Sequence, residues 1–387
     1  MQPTLPLYIT QKGATAFELG IIISLLSFVA IAAKIPLGIL AEHVGRWPII
    51  PVVAFGQTVS LLLYSTATNV AWFYPIRIFH ALILATFAPT AISITLDLAP
   101  QSKRGETMGK FLTSIGVATT FGPFLCSFLI NYVDYVNLFR LTSVIPLLGL
   151  APFLLVHRES SHVLPSEKRN LSFLVFLKEN ASQQNMLVLG YLRLAFSFTN
   201  AFFITLFALY AENNLLLVPS LIALLFGVKG ITNMLSRLPS GKLVDKIGYR
   251  WPISLAFIMF SLTHLTISKT ENIYLLVLAM AVYGLAHGIR AVTEWFLLGD
   301  LTQSRTRNIA TSYLSTIFDA GAALGAIVAG ALSIILNIQT IFKLASLITL
   351  TGFLAVTLIK TGDQFKPERA SVRSSLRDTE LGDLCFQ

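Results

Sequence analysis

The sequence predicts an all-α integral membrane protein made of two related bundles of transmembrane helices, and three observations support this fold class. Hydrophobic residues make up 55% of the 387-residue chain and charged residues only 12%, with a mean hydropathy of +0.72. A soluble globular domain averages about 25% charged residues, so this composition excludes a soluble enzyme. The other two observations are a series of long apolar segments and an internal duplication.

Apolar segments of about 20 residues, the length that a helix needs to cross a bilayer, recur along almost the whole chain. They lie near 17–40, 48–66, 70–97, 110–131, 138–156, 186–210, 217–240, 251–268, 272–299, 309–336 and 341–360. Several contain proline, which membrane helices tolerate because neighbouring helices satisfy the freed backbone groups. We therefore expect about eleven full transmembrane helices.

Lysine and arginine residues between the apolar segments are concentrated in every second loop and in the C-terminal tail. They are Arg46, Lys103, Arg104, Arg158, Lys168, Arg169, Lys178, Lys242, Lys246, Arg250, Arg305, Arg307, Lys366, Arg369, Arg373 and Arg377. The opposite loops contain little beyond Lys12 and Lys269. Because cytoplasmic loops are enriched in basic residues, we expect a multi-pass cell-membrane protein with a cytoplasmic C terminus. The same distribution explains the net charge of +9, so no nucleic-acid partner is implied.

The pattern of charge and hydropathy divides the chain into four parts. They are an N-terminal helix bundle at 1–156, a cytoplasmic linker at 157–185, a C-terminal bundle at 186–361 and a polar tail at 362–387. The tail is expected to be disordered because it has little apolar surface to bury. Cys126 and Cys385 lack the spacing of a disulfide framework or a metal site, so no metal or cofactor is expected.

An internal duplication relates the two halves of the chain. Segment 34–45 matches segment 237–248 at a constant shift of 203 residues, which is 241 minus 38 for Gly38 and Gly241. The same shift aligns Asp97 with Asp300, Arg104 with Arg307 and Gly122 with Gly325. Agreement at one register over such a distance indicates two structural repeats, with which many transporters form a site at their shared interface.

The duplicated segment contains glycine, leucine, an acid, glycine and a basic residue at fixed spacing. The first copy comprises Gly38, Leu40, Glu42, Gly45 and Arg46, and the second comprises Gly241, Leu243, Asp245, Gly248 and Arg250. This pattern resembles the signature of the major facilitator superfamily (MFS). The resemblance implies a fold of two six-helix bundles related by a pseudo-two-fold axis. It also implies a latch that closes the cytoplasmic side during transport.

Asp97 and its repeat equivalent Asp300 are expected to take part in the same cytoplasmic latch. Glu42 replaces the usual aspartate, and Tyr249 stands where the first copy has Arg46, so we expect the first copy to form the stronger latch. The alternative is an ordinary turn with solvated charges, since exposed ion pairs stabilise a protein little.

Small residues in two further segments predict close helix packing. Gly116, Gly122 and Pro123 lie in the segment near 110–131, and Gly321 and Gly325 lie in the segment near 309–336. The first set resembles, in degraded form, the glycine-proline motif of the antiporter branch of the superfamily.

Residues 77–81 resemble a superfamily motif associated with proton coupling, in which an arginine is followed at the third position by a polar residue. Arg77 lies inside an apolar segment, where an arginine is costly and normally faces a partner or a water-filled cavity. His80 lies on nearly the same helix face, and imidazole ordinarily titrates near neutral pH. The alternative is that the Arg77 head group reaches the membrane surface while His80 is a hydrogen-bonded structural residue.

The second half has more charged residues inside its apolar segments. Lys229 and Asn233 are four residues apart, Arg290 and Glu294 have the same spacing, and Asp319 lies in a third segment. Such residues are candidates for the substrate or proton pathway. We expect Arg290 and Glu294 to pair along one helix face, and Lys229 and Asp319 to pair with each other or with substrate. A purely structural role for one of these pairs is an equal alternative.

The intramembrane cations outnumber the carboxylates, as Arg77, Lys229 and Arg290 stand against Glu294 and Asp319. We therefore expect a small-molecule substrate that is anionic or amphipathic, and Arg193 would add to the positive charge if it faced inward. Glu294 and Asp319 are the preferred proton carriers, because a carboxylate in apolar surroundings takes up a proton more readily than one in water. The proton gradient would then be the energy source.

The first helix is expected to be incomplete. By the same shift the chain begins opposite the interior of the 186–210 segment, so roughly seventeen residues, or about 25 Å of helix, lack an equivalent. Residues 3–10 resemble the outer end of a superfamily first helix. We expect either a start codon further upstream or a truncated form.

The expected function is secondary active transport of a small organic solute by alternating access, coupled to protons, with efflux antiport preferred. The alternatives are proton symport of an organic anion and a transporter-like sensor that binds a ligand without moving it. A membrane-embedded enzyme is disfavoured because the sequence contains no metal-ligand cluster, nucleophile elbow or nucleotide-binding loop. His80 and His287 are expected to be cavity or packing residues, and the protein is expected to be a monomer.

Overall fold

The computed structural model describes residues 4–44, 46–98, 104–153, 183–301 and 307–359. Within these ranges the chain forms helices and no strands. The first half contains α1 (Thr4–Gln11), α2 (Ala16–Val44), α3 (Arg46–Thr66), α4 (Val70–Leu98), α5 (Arg104–Leu129), α6 (Tyr135–Thr142) and α7 (Val144–Leu148). The second half contains α8 (Gln184–Asn213), α9 (Pro219–Ile247), α10 (Arg250–Lys269), α11 (Ile273–Leu301), α12 (Arg307–Ile335) and α13 (Ile338–Val356).

Ten helical segments of the described ranges are long and apolar enough to cross a membrane. One of them, Tyr135–Phe153, consists of α6, α7 and the helical residues that follow Gly149. The 26-residue α5 has a shorter apolar part, Ser114–Leu129, because its first turns contain charged residues. These ten segments confirm the predicted all-α membrane fold, α5 is an eleventh apolar helix within the described ranges, and α1 adds a further eight-residue helix.

The helix boundaries repeat at the shift seen in the sequence. Adding 203 to the bounds of α2, 16 and 44, gives 219 and 247, which are the bounds of α9. The same addition converts 70 and 98 of α4 into 273 and 301 of α11. The packing repeats as well: α2 lies along α4 as α9 lies along α11, and α3 contacts α6 as α10 contacts α13. The two halves are therefore structural repeats.

Equivalent residues also start equivalent helices. The Asp134 carboxylate accepts a hydrogen bond from the Asn137 backbone at the start of α6, and the Asn337 side chain accepts one from the Thr340 backbone at the start of α13. The two caps are 203 residues apart, and each satisfies a backbone donor that the first helical turn leaves unpaired. Gly248 ends α9 with a φ of 75°, a conformation that residues with a side chain rarely adopt.

Among the described residues, the most extensive contacts between the bundles are those of α2 with α12 and of α5 with α9. The helices α2, α4, α9 and α11 all begin at one end of the molecule, which we call the turn end. They finish at the opposite end, which we call the basic end. Near the turn end, a Cβ on Gly330 would lie 2.8 Å from the Ala16 carbonyl, and the Ser127 hydroxyl donates to the Ser220 carbonyl at 2.7 Å. The bundles are thus in close contact near the turn end.

The helix α1 adds to this contact. Its Leu7 belongs to the large apolar core of the second half, which includes Phe207 and Phe226. Conversely, Leu209 of α8 belongs to the core of the first half, together with Leu5 and Ile9 of α1. Because apolar side chains of each bundle are buried in the core of the other, close van der Waals packing holds the bundles together at this end.

Candidate functional site

Glu294 on α11 lies between two arginines inside the second bundle. Its Oε2 accepts a hydrogen bond from Arg193 Nη1 on α8 at 2.8 Å and another from Arg290 Nη1, one turn earlier on α11. Glu294 is only 1% exposed and Arg290 only 2%. The expected pairing of Arg290 with Glu294 is therefore present, and Arg193 extends it to a triad with a net charge of +1.

Aromatic rings surround both arginines of the triad. The Arg290 guanidinium lies 3.6 Å from the centroid of Phe196, and that of Arg193 lies 4.9 Å from Phe318. A desolvated contact of this kind stabilises a cation by about 2 kcal/mol, because the ring face carries negative partial charge. The Nε atoms of both arginines and Oε1 of Glu294 have no hydrogen-bond partner within the described ranges. The triad therefore retains unused capacity to bind a polar group.

Asp319 on α12 pairs with a residue of the other bundle. Its Oδ2 accepts a hydrogen bond from Lys34 Nζ on α2, and the Ser315 hydroxyl lies 3.3 Å from the same ammonium group. Both charged side chains are partly buried at the contact between α2 and α12. The expectation that Asp319 could pair with Lys229 is wrong, because Lys34 occupies the carboxylate. The ion pair thus links the two bundles directly.

Lys229 on α9 is enclosed by aromatic rings instead. Its Nζ lies 4.5 Å from the centroid of Phe203 on α8, 4.9 Å from Tyr283 on α11 and 5.6 Å from Phe226 on α9 itself. Lys229 is 7% exposed and has no hydrogen bond or ion pair among the described residues. The Tyr283 hydroxyl donates to Asn200 at 3.0 Å, which fixes one wall of the enclosure.

His287 and Asn233 lie beside this enclosure, where α9 and α11 are in close contact. The Asn233 side chain accepts a hydrogen bond from Arg237 Nε at 3.3 Å. A Cβ on Gly288 would lie 2.6 Å from the Asn233 carbonyl, so the glycine is needed for this approach. The His287 ring packs against Phe196 at 5.0 Å, and its Nδ1 has no partner in the described structure.

His80 in the first bundle belongs to a polar network with α3. Its Nε2 lies 3.0 Å from Gln57 Nε2, and its Nδ1 lies 3.2 Å from the Tyr64 hydroxyl. His80 is 3% exposed and Arg77 8% exposed, and Arg77 Nε has no partner among the described residues. The geometry fits the alternative of a hydrogen-bonded structural histidine as well as it fits a proton pathway.

The predicted latch falls largely outside the described residues. The parts outside the description are the side chains of Glu42, Arg46, Asp97 and Asp245, and the whole of Gly45. Gly38 is helical within α2, and Asp300 is exposed close to the end of α11. In the second copy, a Cβ on Gly241 would meet no described atom within 4 Å, and Arg250 Nη2 donates to the Thr357 carbonyl at 3.3 Å. The latch therefore stays a prediction.

The glycines expected to pack helices differ between the two repeats. A Cβ on Gly325 would lie 2.9 Å from Phe198 Cα, and one on Gly321 would lie 2.9 Å from the Leu194 carbonyl, so α12 touches the α8 backbone at both. In α5, a Cβ on Gly116 would make only an ordinary 3.8 Å contact with Met234. A Cβ on Gly122 would meet no described atom within 4 Å, so among the described residues no helix packs closely there. The neighbouring Pro123 is half-buried within α5.

Sequence reasoning did not assign Lys34 or His264 to the site. Lys34 was detectable as the repeat equivalent of Arg237, since both are cations inside an apolar segment. His264 is fully buried 5.6 Å from the Tyr283 ring, and its two ring nitrogens have no hydrogen-bond partner in the described ranges. Nothing in the sequence around His264 distinguishes it from a packing residue. Within the described residues, no three His, Cys, Asp or Glu side chains form a group that could hold a metal.

The sequence profile of the Major Facilitator Superfamily matches residues 1–215 and 193–381, one match for each half. The chain belongs to this superfamily. This MFS chain is 26% identical to an uncharacterised MFS-type transporter of Methanocaldococcus jannaschii over 357 residues, which cover 90% of each chain. A bacterial homolog of the human lysosomal transporter Spinster, solved in an inward-facing and unoccupied conformation, has a TM-score of 0.68 at 16% identity, covering 92% of this chain and 90% of that one.

Two other relatives of this MFS chain have names that state an activity. The multi-drug resistance efflux pump PmrA of Streptococcus pneumoniae is 23% identical over 357 residues, which cover 89% of this chain and 88% of the relative. The multidrug resistance protein MdtG of Salmonella paratyphi A is 24% identical over 352 residues, which cover 88% and 86%. The superfamily and the two-bundle fold are thereby established, and the chain is a multi-pass membrane protein.

Proposed function

We propose that this chain is a secondary active transporter that moves a small organic solute by alternating access and is coupled to protons. The observation that carries the proposal is the Lys34–Asp319 ion pair, because a protonatable carboxylate holds one bundle to the other. Protonation of Asp319 would remove the attraction to Lys34. Uptake of a proton would then weaken a contact that must change when the bundles rock.

Glu294 is the second proposed proton carrier. In the deprotonated form it balances one of the two arginines that contact it, so its protonation would leave Arg193 and Arg290 without a counter-charge. Two adjacent cations in a low-dielectric site repel each other strongly. We infer that protonation of Glu294 would occur together with rearrangement of α8 against α11, or with binding of an anion.

The proposed direction is efflux in exchange for protons. Support comes from the relatives of Streptococcus and Salmonella, whose names describe efflux and multidrug resistance. Proton symport of an organic anion is the second candidate, and the excess of buried cations over carboxylates favours it. In both cases we propose that the basic end and the C-terminal tail face the cytoplasm of a cell membrane, and that one chain is the working unit.

The proposal is tested by reconstituting the purified chain in proteoliposomes that contain a pH-sensitive dye. Pools of organic anions and lipophilic drugs are added under an imposed proton gradient, and proton movement evoked by each pool is recorded. The Glu294→Gln and Asp319→Asn variants are compared with Glu271→Gln, a control that removes an exposed carboxylate in the turn before α11.

Solute-evoked proton flux in the unmodified chain and the Glu271 variant, lost in either test variant, is the expected result. Flux that survives both test substitutions would disprove the assignment of the carriers. Solute binding without flux in any variant would replace the transporter proposal with that of a sensor.

A further inference from the structure

The side chains around His287 carry more positive charge and more hydrogen-bond donors than the described acceptors can satisfy. His287 and Arg290 contact the same ring, that of Phe196, and Lys229 contacts the ring of Tyr283, one turn before His287 on α11. Arg193 donates to Glu294, and Arg237 donates to Asn233 beside the same helices. With all four basic groups protonated and Glu294 as the one described carboxylate in contact with them, the excess is three positive charges. Asp319, the next carboxylate, is engaged by Lys34.

Several donors in this group have no acceptor within the described part of the chain. They are Arg193 Nε and Arg290 Nε, which are buried without a partner, and Lys229 Nζ, which has ring contacts but no hydrogen bond among the described residues. The Nδ1 atom of His287 is also buried without a partner and is a donor in the protonated ring. Buried polar groups in proteins are normally hydrogen-bonded, and buried charges are normally paired. Glu294 cannot supply the missing acceptors alone, because its Oε2 already receives both arginines and its one unpartnered oxygen, Oε1, cannot serve donors on several side chains.

The ammonium group of Lys229 lies inside the second bundle, on the helix that also contacts the first bundle. Gly227 and Gly230 of α9 contact α5: a Cβ on Gly230 would lie 2.9 Å from Thr120 Cα, and one on Gly227 would lie 2.9 Å from the Phe124 ring. At 3.6 residues per turn, Lys229 is turned about 100° from Gly230 and about 160° from Gly227, towards the Phe203 and Tyr283 rings of α8 and α11. Movement of α5 away from α9 would therefore uncover the glycine side of α9, which adjoins the face that carries the lysine.

We propose that Lys229, with His287 and the Arg290 side of the triad, binds the oxyanion of an amphipathic organic acid, which is the solute that this transporter carries. The oxyanion supplies acceptors and offsets part of the excess positive charge, while the rings of Phe203 and Tyr283 form an apolar wall for the rest of the solute. This inference rests on the proposed transport function and names its substrate class. A carboxylate and a phosphate share the required chemistry.

The aromatic enclosure explains how the site persists when it is empty. In the absence of an anion, the three ring faces hold the ammonium group of Lys229 and compensate part of its lost hydration. A ligand oxyanion offers a stronger interaction at the same nitrogen, because opposite full charges attract more than a charge and a ring. The rings therefore hold the lysine ammonium group in a position from which it can move to contact a bound anion.

The test is a binding measurement on the purified full chain in detergent, independent of transport. The probes are benzoate, inorganic phosphate, the neutral isostere benzamide and the lipophilic cation tetraphenylphosphonium, each titrated while thermal unfolding is followed by tryptophan fluorescence. Variants are Lys229→Met, His287→Gln and, as a matched control, Lys269→Met, which removes an exposed lysine at the end of α10.

We expect benzoate to raise the unfolding temperature saturably and benzamide to have no effect. The apparent affinity for benzoate should fall at least tenfold in Lys229→Met, fall less in His287→Gln and stay unchanged in Lys269→Met. A response to benzoate without one to phosphate identifies a carboxylate ligand, and the reverse identifies a phosphate ligand. His287→Gln keeps the test decisive if Lys229→Met does not fold.

The inference is overturned if neither anion binds, if tetraphenylphosphonium alone binds, or if benzoate binds equally to the Lys229 and Lys269 variants. These outcomes differ from failure of the transport proposal. Proton flux evoked by a lipophilic cation, without anion binding, would leave the transporter intact and remove this site. Anion binding without any flux would keep the site and remove the transport function.

Discussion

Lys34 on α2 and Asp319 on α12 form an ion pair across the interface between the two bundles. Each belongs to a different structural repeat, so the pair connects the two bundles that move relative to each other in the proposed alternating access. Partial burial makes each charge dependent on the other, since an unpaired charge at this depth loses hydration without compensation. The stability of the bundle contact and the proposed coupling to protons should therefore both depend on this pair.

We predict that Lys34→Met destabilises the protein by about 1–3 kcal/mol, because Asp319 is left partly buried without its partner. The double variant Lys34→Met with Asp319→Asn should recover most of this loss, since it removes both charges together. Thermal unfolding in detergent measures both effects. Equal unfolding temperatures for the single and double variants would show that the two residues are not coupled.

Glu294→Gln should be more damaging than Arg193→Met. Removal of the carboxylate leaves two buried arginines facing each other, and breaking a buried pair in this way costs about 3–5 kcal/mol. Removal of Arg193 leaves the Arg290–Glu294 pair neutral and complete. Unfolding temperatures of the two variants, with Glu271→Gln as the exposed control, give the comparison. If the Glu294→Gln variant unfolded at a higher temperature than the Arg193→Met variant, the described triad would be contradicted.

The sequence predicted the helices well because each needs only an apolar segment of sufficient length. The duplication was also visible, since the shift of 203 that aligns Gly38 with Gly241 is the shift that converts the bounds of α2 into those of α9. Asp134 and Asn337, at the same shift, even cap equivalent helices. Helix identity and repeat symmetry are local or periodic properties, and a single sequence records them.

Partners across helices were predicted less well. The pair of Arg290 and Glu294 follows from four-residue spacing on one helix, whereas the third member, Arg193, comes from a helix 101 positions earlier in the chain. Asp319 pairs with Lys34 because α2 packs along α12, a contact that no spacing in the sequence encodes. Tertiary packing decides which cation pairs with which carboxylate. A segment that is apolar on all sides does not show in its sequence which helix face will point into the bundle.

The orientation of the chain can be tested with two engineered cysteines. In a Cys385→Ser background, Lys246→Cys lies near the basic end of α9 and Glu271→Cys lies in the turn between α10 and α11, and both positions are exposed. In intact cells we expect a membrane-impermeant maleimide to label position 271, and to label position 246 only after the membrane is permeabilised. Labelling of position 246 alone in intact cells would reverse the proposed orientation.

Gly122 and Gly325 occupy equivalent positions in the two repeats, yet the same substitution should affect them differently. A methyl group at position 325 would lie 2.9 Å from Phe198 Cα and from Ala201 Cβ, so α12 and α8 must separate. A methyl group at position 122 meets no described atom within 4 Å. We expect Gly325→Ala to destabilise the protein by about 1–3 kcal/mol through overpacking, since backbone cannot yield as a flexible side chain does.

For Gly122→Ala the expectation is a small stabilisation of about 0.5–1 kcal/mol, because alanine restricts the unfolded chain and favours helix. The two variants have identical chemistry, identical secondary structure and equivalent places in the fold, so each is the control for the other. Thermal unfolding of both in the same detergent measures the difference. If Gly122→Ala were as destabilising as Gly325→Ala, the space beside Gly122 would be filled by a tightly packed neighbour, and the asymmetry between the repeats would be lost.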